Sequence, residues 1–403
     1  MSNLKSEKVM KILQINTVIS YGSTGIICQN IARGLIANGH DCLTVYGRGT
    51  DVEDIPTKKI GNKFEQGLHY LRSHFLDQHG LGSRLATRQL IQIIRDYQPD
   101  VIHLHNIHGY YVNYRILFEE LRALAIPVVW LLHDQWAISG GAAYIENNIR
   151  IVDGKPIKIV RTQEEKKQYP SVARISFSRF EQNIRDKYQV ITAMTNLTLV
   201  TPSCWLTRFV EDSFLKKFQV LTIYNGMDTR QFSVDLPSKT EKINILGAAS
   251  VWDERKGLKY FCQLAEDLGD NFQITLIGVD DSTSLPSNII KVGRLNSSQM
   301  VHYYNQADVF VNPTLGDNFP SVNVEAQLCG TPVITFDTGG SSESICRETG
   351  KAIKKGDYKL LLQSLLSIKN KDYQTAKTTR KHAEKFSTDV MVNKYIELFR
   401  NLL

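Results

Sequence analysis

Two carboxylates eight residues apart, Asp317 and Glu325, lie in the segment NPTLGDNFPSVNVEAQLCGTPVITFDTGGSSE, Asn312–Glu343. An apolar run ends at Asn312-Pro313, a polar loop carries Asp317, and Pro320 stands where a helix begins, a place proline favours. The first amides of a helix have no intrahelical partner and carry partial positive charge. The stretch Asn318, Phe319, Pro320, Ser321 and Val322 therefore suits a phosphate or a polarised sugar hydroxyl. Two acids beside a bound anion would repel it, so hydroxyls are their fitting partners: a sugar hydroxyl for Asp317 and a ribose diol for Glu325. Gly330-Thr331-Pro332 breaks the helix, and Gly339-Gly340 forms a turn where backbone can approach a ligand closely. Two acids alone also describe a solvated loop and a helix surface.

A second constellation is GAASVWDERKG, Gly247–Gly257. Arg255 and Lys256 are adjacent cations near the start of a helix. Such cations compensate the charge that grows on a departing diphosphate. A third is VWLLHDQWAISGG, Val129–Gly141, in which a buried strand delivers His133 and Asp134 at its carboxyl end. The histidine can hydrogen-bond a sugar or position an acceptor, and Asp134 can orient it or accept a proton. A fourth is SYGSTGI, Ser20–Ile26, a glycine-containing turn, including Gly25, between a strand and a helix. It does not follow the dinucleotide fingerprint.

His103, His105 and His108 lie in HLHNIHGYY. His103 and His105 alternate on a strand and so share a face. No acid completes a ligand set, so no metal is expected there. Lining an acceptor cleft is the reading preferred for His105 and His108. Asp280-Asp281, followed by Ser-Thr-Ser, reads as a turn. Phe64–Arg88 is aromatic, basic and histidine-rich, and Leu68, Leu71, Phe75 and Leu76 can share a helical face. The favoured reading is a helix packed on a sheet. The other is a surface touching a lipid-linked acceptor at a membrane.

Strand-length apolar runs alternating with helical patterns must position these groups, which signals βαβ units and parallel sheets. Strands are read at Val9–Ile15, Cys42–Tyr46, Val101–Leu104, Val128–Leu132, Leu197–Val200 and Val220–Ile223. Helices are read at Ile26–Ala37, Leu85–Tyr97 and Tyr114–Leu124. The polar stretch Asp228–Glu241, with Pro237-Ser238-Lys239, is the linker candidate. Beyond it the alternation restarts, with strands at Ile243–Leu246, Phe272–Ile277, Val309–Val311 and Val333–Phe336. Helices follow at Leu258–Leu268 and Val322–Leu328, and Asp389–Leu403 reads as an amphipathic helix. Two doubly wound domains place a ligand cleft at the carboxyl ends of their strands. Ile145–Tyr169 is Lys/Glu-rich and reads as a surface insertion or mobile loop.

The 403 residues suit two domains. The formal charge is +7, and its excess lies in the first 235 residues, with 28 Lys+Arg against 22 Asp+Glu. That permits an anionic partner there: a phosphorylated acceptor, a membrane surface or nucleic acid. Six cysteines without C-x-x-C pairs read as reduced core residues of a cytosolic protein. The opening MSNLKSEKVMKILQI lacks the apolar region of a secretory signal. No stretch approaches the ~18 apolar residues of a membrane span.

The segment from Asp317 to Glu343 resembles the glycosyltransferase family 4 signature. It reads as D-x7-E across Asp317 and Glu325, then CGTPVI at Cys329–Ile334 and TGGSSE at Thr338–Glu343. The family usually has Glu at the first acid. The Asp form, and the L-H-D-x-W run ending at Trp136, resemble a subgroup making bacterial exopolysaccharides and colanic-acid-type polymers. The resemblance implies an α/β fold of the GT-B type: two facing Rossmann-like doubly wound domains and a C-terminal helix crossing back to the first. The implied domains are an acceptor domain over residues 1–228, a nucleotide-sugar donor domain over 229–385 and the returning helix over 386–403.

It also implies a retaining enzyme that moves a sugar from a UDP- or GDP-sugar to a saccharide or lipid-linked acceptor, in surface polysaccharide synthesis. No metal or cofactor is implied, nor a nucleic-acid partner. The place implied is the cytoplasm, with peripheral contact to the inner face of the membrane. By the same resemblance Lys256 contacts the diphosphate, and Ser250 or a neighbour stands where the family has Arg, with Arg255 a candidate substitute. Gly25 belongs to a loop closing over the donor phosphates. His133, Asp134 and Asp317 serve catalysis. A nucleotide-sugar epimerase of the same fold, or a non-catalytic sugar-nucleotide-binding protein, stays open at this point.

Overall fold

A computed structural model of the chain describes residues 8–145, 150–152, 155–157, 179–236 and 241–403. The chain forms two units. One comprises the chain up to Ile223 together with Met391–Leu403, and the other is Tyr224–Val390.

The first unit begins β1 (Lys11–Val18), α1 (Gly22–Ala37), β2 (Asp41–Arg48), β3 (Thr57–Lys59), α2 (Lys63–Leu76) and α3 (Arg84–Tyr97). It continues β4 (Val101–Leu104), α4 (Tyr114–Leu124), β5 (Val128–Leu131), β6 (Arg150–Val152), β7 (Lys155–Ile157) and α5 (Phe180–Thr192). It ends with β8 (Leu197–Thr201), α6 (Cys204–Glu211) and β9 (Val220–Thr222). Seven strands form a parallel sheet in the order β3-β2-β1-β4-β5-β8-β9. β6 and β7 pair antiparallel as a separate ribbon.

Alternate residues of these strands enter different cores, because side chains on a strand point to opposite faces. Leu13, Ile15, Ile102, Leu104, Val128 and Trp130 pack with α3 and α4 on one face. Ile12, Cys42, Val101, Val129 and Leu131 pack on the other with α1 and residues of the C-terminal helix. Covering both faces explains why β4 and β5 read as unbroken apolar runs.

The second unit holds β10 (Ile243–Ala248), α7 (Leu258–Asp267), β11 (Phe272–Ile277), β12 (Ile289–Val292), α8 (Ser297–Gln306) and β13 (Val309–Asn312). Then come α9 (Ser321–Leu328), β14 (Val333–Asp337), β15 (Gly350–Lys354), α10 (Tyr358–Leu366) and α11 (Tyr373–Ala383). Its parallel sheet runs β12-β11-β10-β13-β14-β15. α12 (Thr388–Asn401) completes the chain. From Met391 onward it belongs to the first unit, where Val392 lies so close to Gly34 that any Cβ there would meet it at 2.3 Å.

In each sheet the strand order reverses beside the first strand, between β1 and β4 and between β10 and β13. Ligands of open α/β sheets bind outside the strand carboxyl ends at such a reversal. The loops following these four strands, with the helices they enter, carry the candidate residues except His133 and Asp134, which follow β5.

Several expectations are corrected. The glycine turn Ser20–Ile26 is mostly helix, since α1 starts at Gly22 and Gly25 is buried in its first turn. The units part before the linker candidate. Asp228 caps a 3-10 turn at Thr229–Gln231, and Phe232 is buried in the second unit's core. Pro237-Ser238-Lys239 and most of Ile145–Tyr169 lie outside the described residues. All six cysteines are free thiols, but Cys204 is exposed and Cys262 and Cys346 are half-buried, so only Cys28, Cys42 and Cys329 are core residues. α2 forms, yet not with its apolar side on the sheet: Leu68, Leu71, Phe75 and Leu76 are exposed.

Candidate functional site

In the second unit, Asp253 caps a short 3-10 turn at Glu254–Lys256 by accepting from the Lys256 amide at 2.9 Å. This turn aims Lys256 at the loop after β13, where its Nζ lies 2.7 Å from Asp317 Oδ2. Arg255 is turned elsewhere: it donates to the Gly316 carbonyl at 2.7 Å, and its own carbonyl accepts from the Leu315 amide at 2.7 Å. Arg255 thus braces the loop that carries Asp317.

Backbone contact fixes that loop from two sides. Gly257 has φ +77°, and a Cβ there would come within 2.2 Å of the Pro313 carbonyl oxygen. Gly339 has φ +57°, and a Cβ would come within 1.8 Å of the Asp317 carbonyl oxygen. The Gly340 amide donates to the same oxygen at 3.0 Å. Only glycine permits such approaches.

Pro320 is the N-cap of α9, so Ser321 and Val322 fall in the first turn, where amides lack intrahelical acceptors. Phe319 is buried against Tyr224 and Phe386 rings, which leaves its backbone, not its side chain, for a ligand. Asn318 is buried too. Glu325, one helical turn further in, accepts from the Tyr304 hydroxyl at 2.9 Å. Burial raises its pKa, opposed by the Tyr304 and Ser321 hydrogen bonds. Ser250 is exposed just beyond β10.

In the first unit a pocket opens beyond β4 and β5, lined by His105, His108, His133, Asp134 and Trp136 among others. His133 and Asp134 are partly exposed there. His105 is fully buried, with Nδ1 3.1 Å from His133 Nε2 and Nε2 2.9 Å from Gln14 Oε1. Gln14 donates its amide nitrogen to the Cys28 carbonyl, so its oxygen faces His105. That oxygen only accepts, so His105 Nε2 carries the proton and Nδ1 is an acceptor. His133 must then present Nε2–H to it. Burial, with His108 nearby, lowers His133 to a pKa of about 4, opposed by Asp134, so the ring is neutral. Gln14, unmarked in the sequence except as a polar residue inside an apolar strand, fixes the tautomer of His133.

Asp134 holds both oxygens occupied: Oδ2 is 2.8 Å from His108 Nε2, and Oδ1 accepts from the Trp136 amide at 2.8 Å. Burial would raise its pKa, but His108 and these hydrogen bonds bring it below the usual carboxylate value. An engaged, weakly basic carboxylate orients its neighbours better than it accepts a proton. Lys187, fully buried on α5, donates to the Trp136 and Ser139 carbonyls at 2.5 and 3.0 Å and lies over the Trp136 ring. It pins the turn that Asp134 begins, and no sequence motif marks it.

His103 shares the face of His105, with ring centroids 4.3 Å apart, but lies under Tyr395 and Phe399 of α12, outside the pocket. Among the described residues no group of three or more His, Cys, Asp or Glu is arranged to hold a metal ion. Asp280-Asp281 forms a turn, with the Asp280 carbonyl accepting from Thr283.

The chain matches the family model Glycosyltransferase Family 4 over residues 24–231 and the model Glycosyl transferases group 1 over residues 230–386. It is 23% identical to the putative colanic acid biosynthesis glycosyl transferase WcaC of Escherichia coli (strain K12), across 98% of this chain and 100% of that one. Its structure resembles sucrose-phosphate synthase (tll1590) from Thermosynechococcus elongatus, with a TM-score of 0.68 at 16% identity over 98% of this chain and 99% of that one. It also resembles Anabaena Alr3699/HepE in complex with UDP-glucose, with a TM-score of 0.61 at 14% identity over 97% and 100% of the two chains.

Proposed function

Since this chain belongs to glycosyltransferase family 4 and is a sugar-transferring enzyme of the GT-B fold, we propose that it takes its sugar from a nucleotide-diphosphate donor such as a UDP- or GDP-sugar. The acceptor is a saccharide or lipid-linked saccharide in bacterial surface polysaccharide synthesis, and the anomeric configuration is retained. The likeness to WcaC supports the polysaccharide setting, and the UDP-glucose complex of HepE supports the donor class. Six free thiols fit a reducing compartment and so the cytoplasmic side of the membrane.

The observation that carries this reading is the Lys256–Asp317 pair at the strand-order reversal of the second sheet, beside the first turn of α9. The donor diphosphate takes Lys256 from Asp317 and accepts from the amides around Ser321 and Val322. Asp317 is then free to accept from a hydroxyl of the donor sugar. Glu325, held by Tyr304 and Ser321, presents its carboxylate to the ribose. The acceptor oxygen bonds the anomeric carbon on the face from which the diphosphate leaves. The anomeric carbon–oxygen bond breaks, and the acceptor proton passes to the departing diphosphate oxygen.

Developing negative charge on that oxygen is what Lys256 and the helix amides stabilise. His133, neutral and with its tautomer set by Gln14 through His105, serves the sugar or the acceptor as a hydrogen-bonding group. His108 and Asp134 hold the pocket's shape, and Gly25 acts through the packing of α1. The test is turnover: incubation with a panel of nucleotide sugars and lipid-linked saccharides, and the anomeric configuration of the product read by NMR. Transfer with an inverted product removes the retaining mechanism, and release of an isomerised donor without acceptor removes transfer.

A further inference from the structure

α2 carries its polar side inward. Its buried residues are His69 and Ser73, while Phe64 is 82% exposed, Leu68 50%, Leu71 47% and Phe75 49%. At helical spacing these four apolar side chains fall within about 60° of one another, in a stripe about 16 Å long. The orientation has a cause. His69 Nε2 accepts from the Gly80 and Gly82 amides at 3.0 and 3.1 Å, and its Nδ1 lies 2.9 Å from Ser83 Oγ. Rolling the helix to bury the stripe would strand two buried amides, at a cost of about 1–3 kcal/mol each.

The exposed charges of the stretch 63–88 have one sign. Lys63, Arg72, Arg84 and Arg88 are all exposed. The two acids in the same stretch are engaged inside the fold. Glu65 accepts from the Leu85 amide at 2.9 Å and from Ala86, and buried Asp77 accepts from the Arg179 amide at 2.9 Å. The Glu65 link also brings Leu85, 69% exposed, beside the first turn of α2. A monomer rarely leaves a contiguous apolar stripe of this kind uncovered unless something docks there.

We propose that this face of α2, with the turn into α3, rests on an anionic lipid bilayer. Phe64, Leu68, Leu71 and Phe75 enter the headgroup–acyl boundary, and Lys63, Arg72, Arg84 and Arg88 meet lipid phosphates. Interfacial helices combine these two features, apolar area and flanking cations. Charge complementarity selects the bilayer over a second copy of the chain, because two copies meeting through this face would oppose four cations with four more. The surface is independent of the transfer chemistry, since vesicle binding is measured without donor or acceptor.

The experiment is co-sedimentation of the full chain with phosphatidylcholine vesicles and with vesicles containing about one-third phosphatidylglycerol, together with light-scattering mass in vesicle-free solution. The expected result is a monomer that binds the anionic vesicles and is released by salt. Phe64→Ser/Leu68→Gln/Phe75→Ser should lower the partition by about ten-fold or more. Lys63→Glu/Arg72→Glu should remove the preference for anionic lipid, each cation near the surface being worth on the order of five-fold. An unchanged melting temperature shows that the variants fold. Wild-type protein that fails to bind, or a triple variant that binds equally well, overturns the proposal. So does a wild-type dimer abolished by the triple variant without any vesicle binding, which would make this face an interface between copies.

Discussion

Lys256 and Asp317 neutralise each other across 2.7 Å, so the proposed nucleoside diphosphate would compete with a carboxylate for its cation. The sign of two substitutions follows. Asp317→Asn leaves Lys256 unpaired and should tighten binding of free nucleoside diphosphate several-fold, because the competing charge is gone. The same change should slow transfer, because the sugar loses an acceptor. Isothermal titration and initial rates check the two halves separately. A second prediction concerns pH. His133 is neutral above about pH 4, so its protonation should not depress kcat between pH 8 and 5.5. An unburied histidine would give a midpoint near ~6.5. Gln14→Leu removes the acceptor that fixes His105 and should lower kcat with little change in KM, with the tautomer shift visible in nitrogen NMR of His133. Asp317 and Lys256 were legible in the sequence because each sits at a break between apolar periods, and Glu325 because it stands eight residues beyond Asp317 in the signature spacing. Gln14 and Lys187 were not, because a lone polar residue in an apolar strand or helix shows nothing of its partners until the fold closes around it.

Elements position these groups by close backbone contact as much as by hydrogen bonds. Gly339→Ala would place a Cβ against the Asp317 carbonyl in a left-handed conformation. It should destabilise the second unit by about 1–3 kcal/mol and weaken donor binding, both read by thermal unfolding with and without nucleotide. Gly67 is the opposite case. It lies inside α2 with nothing within 4 Å of its would-be Cβ, so Gly67→Ala should stabilise the protein by about 0.5–1 kcal/mol. The central strands were readable because both faces are buried, which leaves continuous apolar runs. Edge strands β3, β12 and β15 were missed: TKK, IIKV and GKAIK are short and partly charged, as edges that discourage further pairing are. α8 was missed although Asn296 and Gln299 form a capping box, because its apolar stripe is weak. The packing of α2 was misjudged because an apolar period normally marks the buried side, and here the bonds of His69 decide the orientation.

At the scale of the whole molecule, buried histidines tie stability to pH. Burial holds His69 near a pKa of about 4, and burial with neighbouring imidazoles holds His103 near about 3 and His105 well below its ordinary value. Unfolded, each binds a proton near ~6.5. The unfolded chain therefore binds more protons than the folded one below that pH. This contribution is complete above ~6.5 and is lost as pH falls toward the folded values, at up to about 1.4 kcal/mol per pH unit for each histidine. The melting temperature should drop steeply between pH 6.5 and 4, and a flat profile would show that these rings are not neutral and buried. The two doubly wound units were legible from alternation alone; they part at Ile223–Tyr224, a few residues before the polar stretch after Asp228, which is tied down by its own cap and by Phe232. The account rests on Lys256 and the start of α9 holding the leaving diphosphate. Isothermal titration of free UDP and GDP into wild type and Lys256→Ala tests it most directly. The account predicts that the preferred nucleotide binds the wild type and loses about ten-fold or more in affinity in a variant that melts at the same temperature. Equal affinity in both proteins would contradict it.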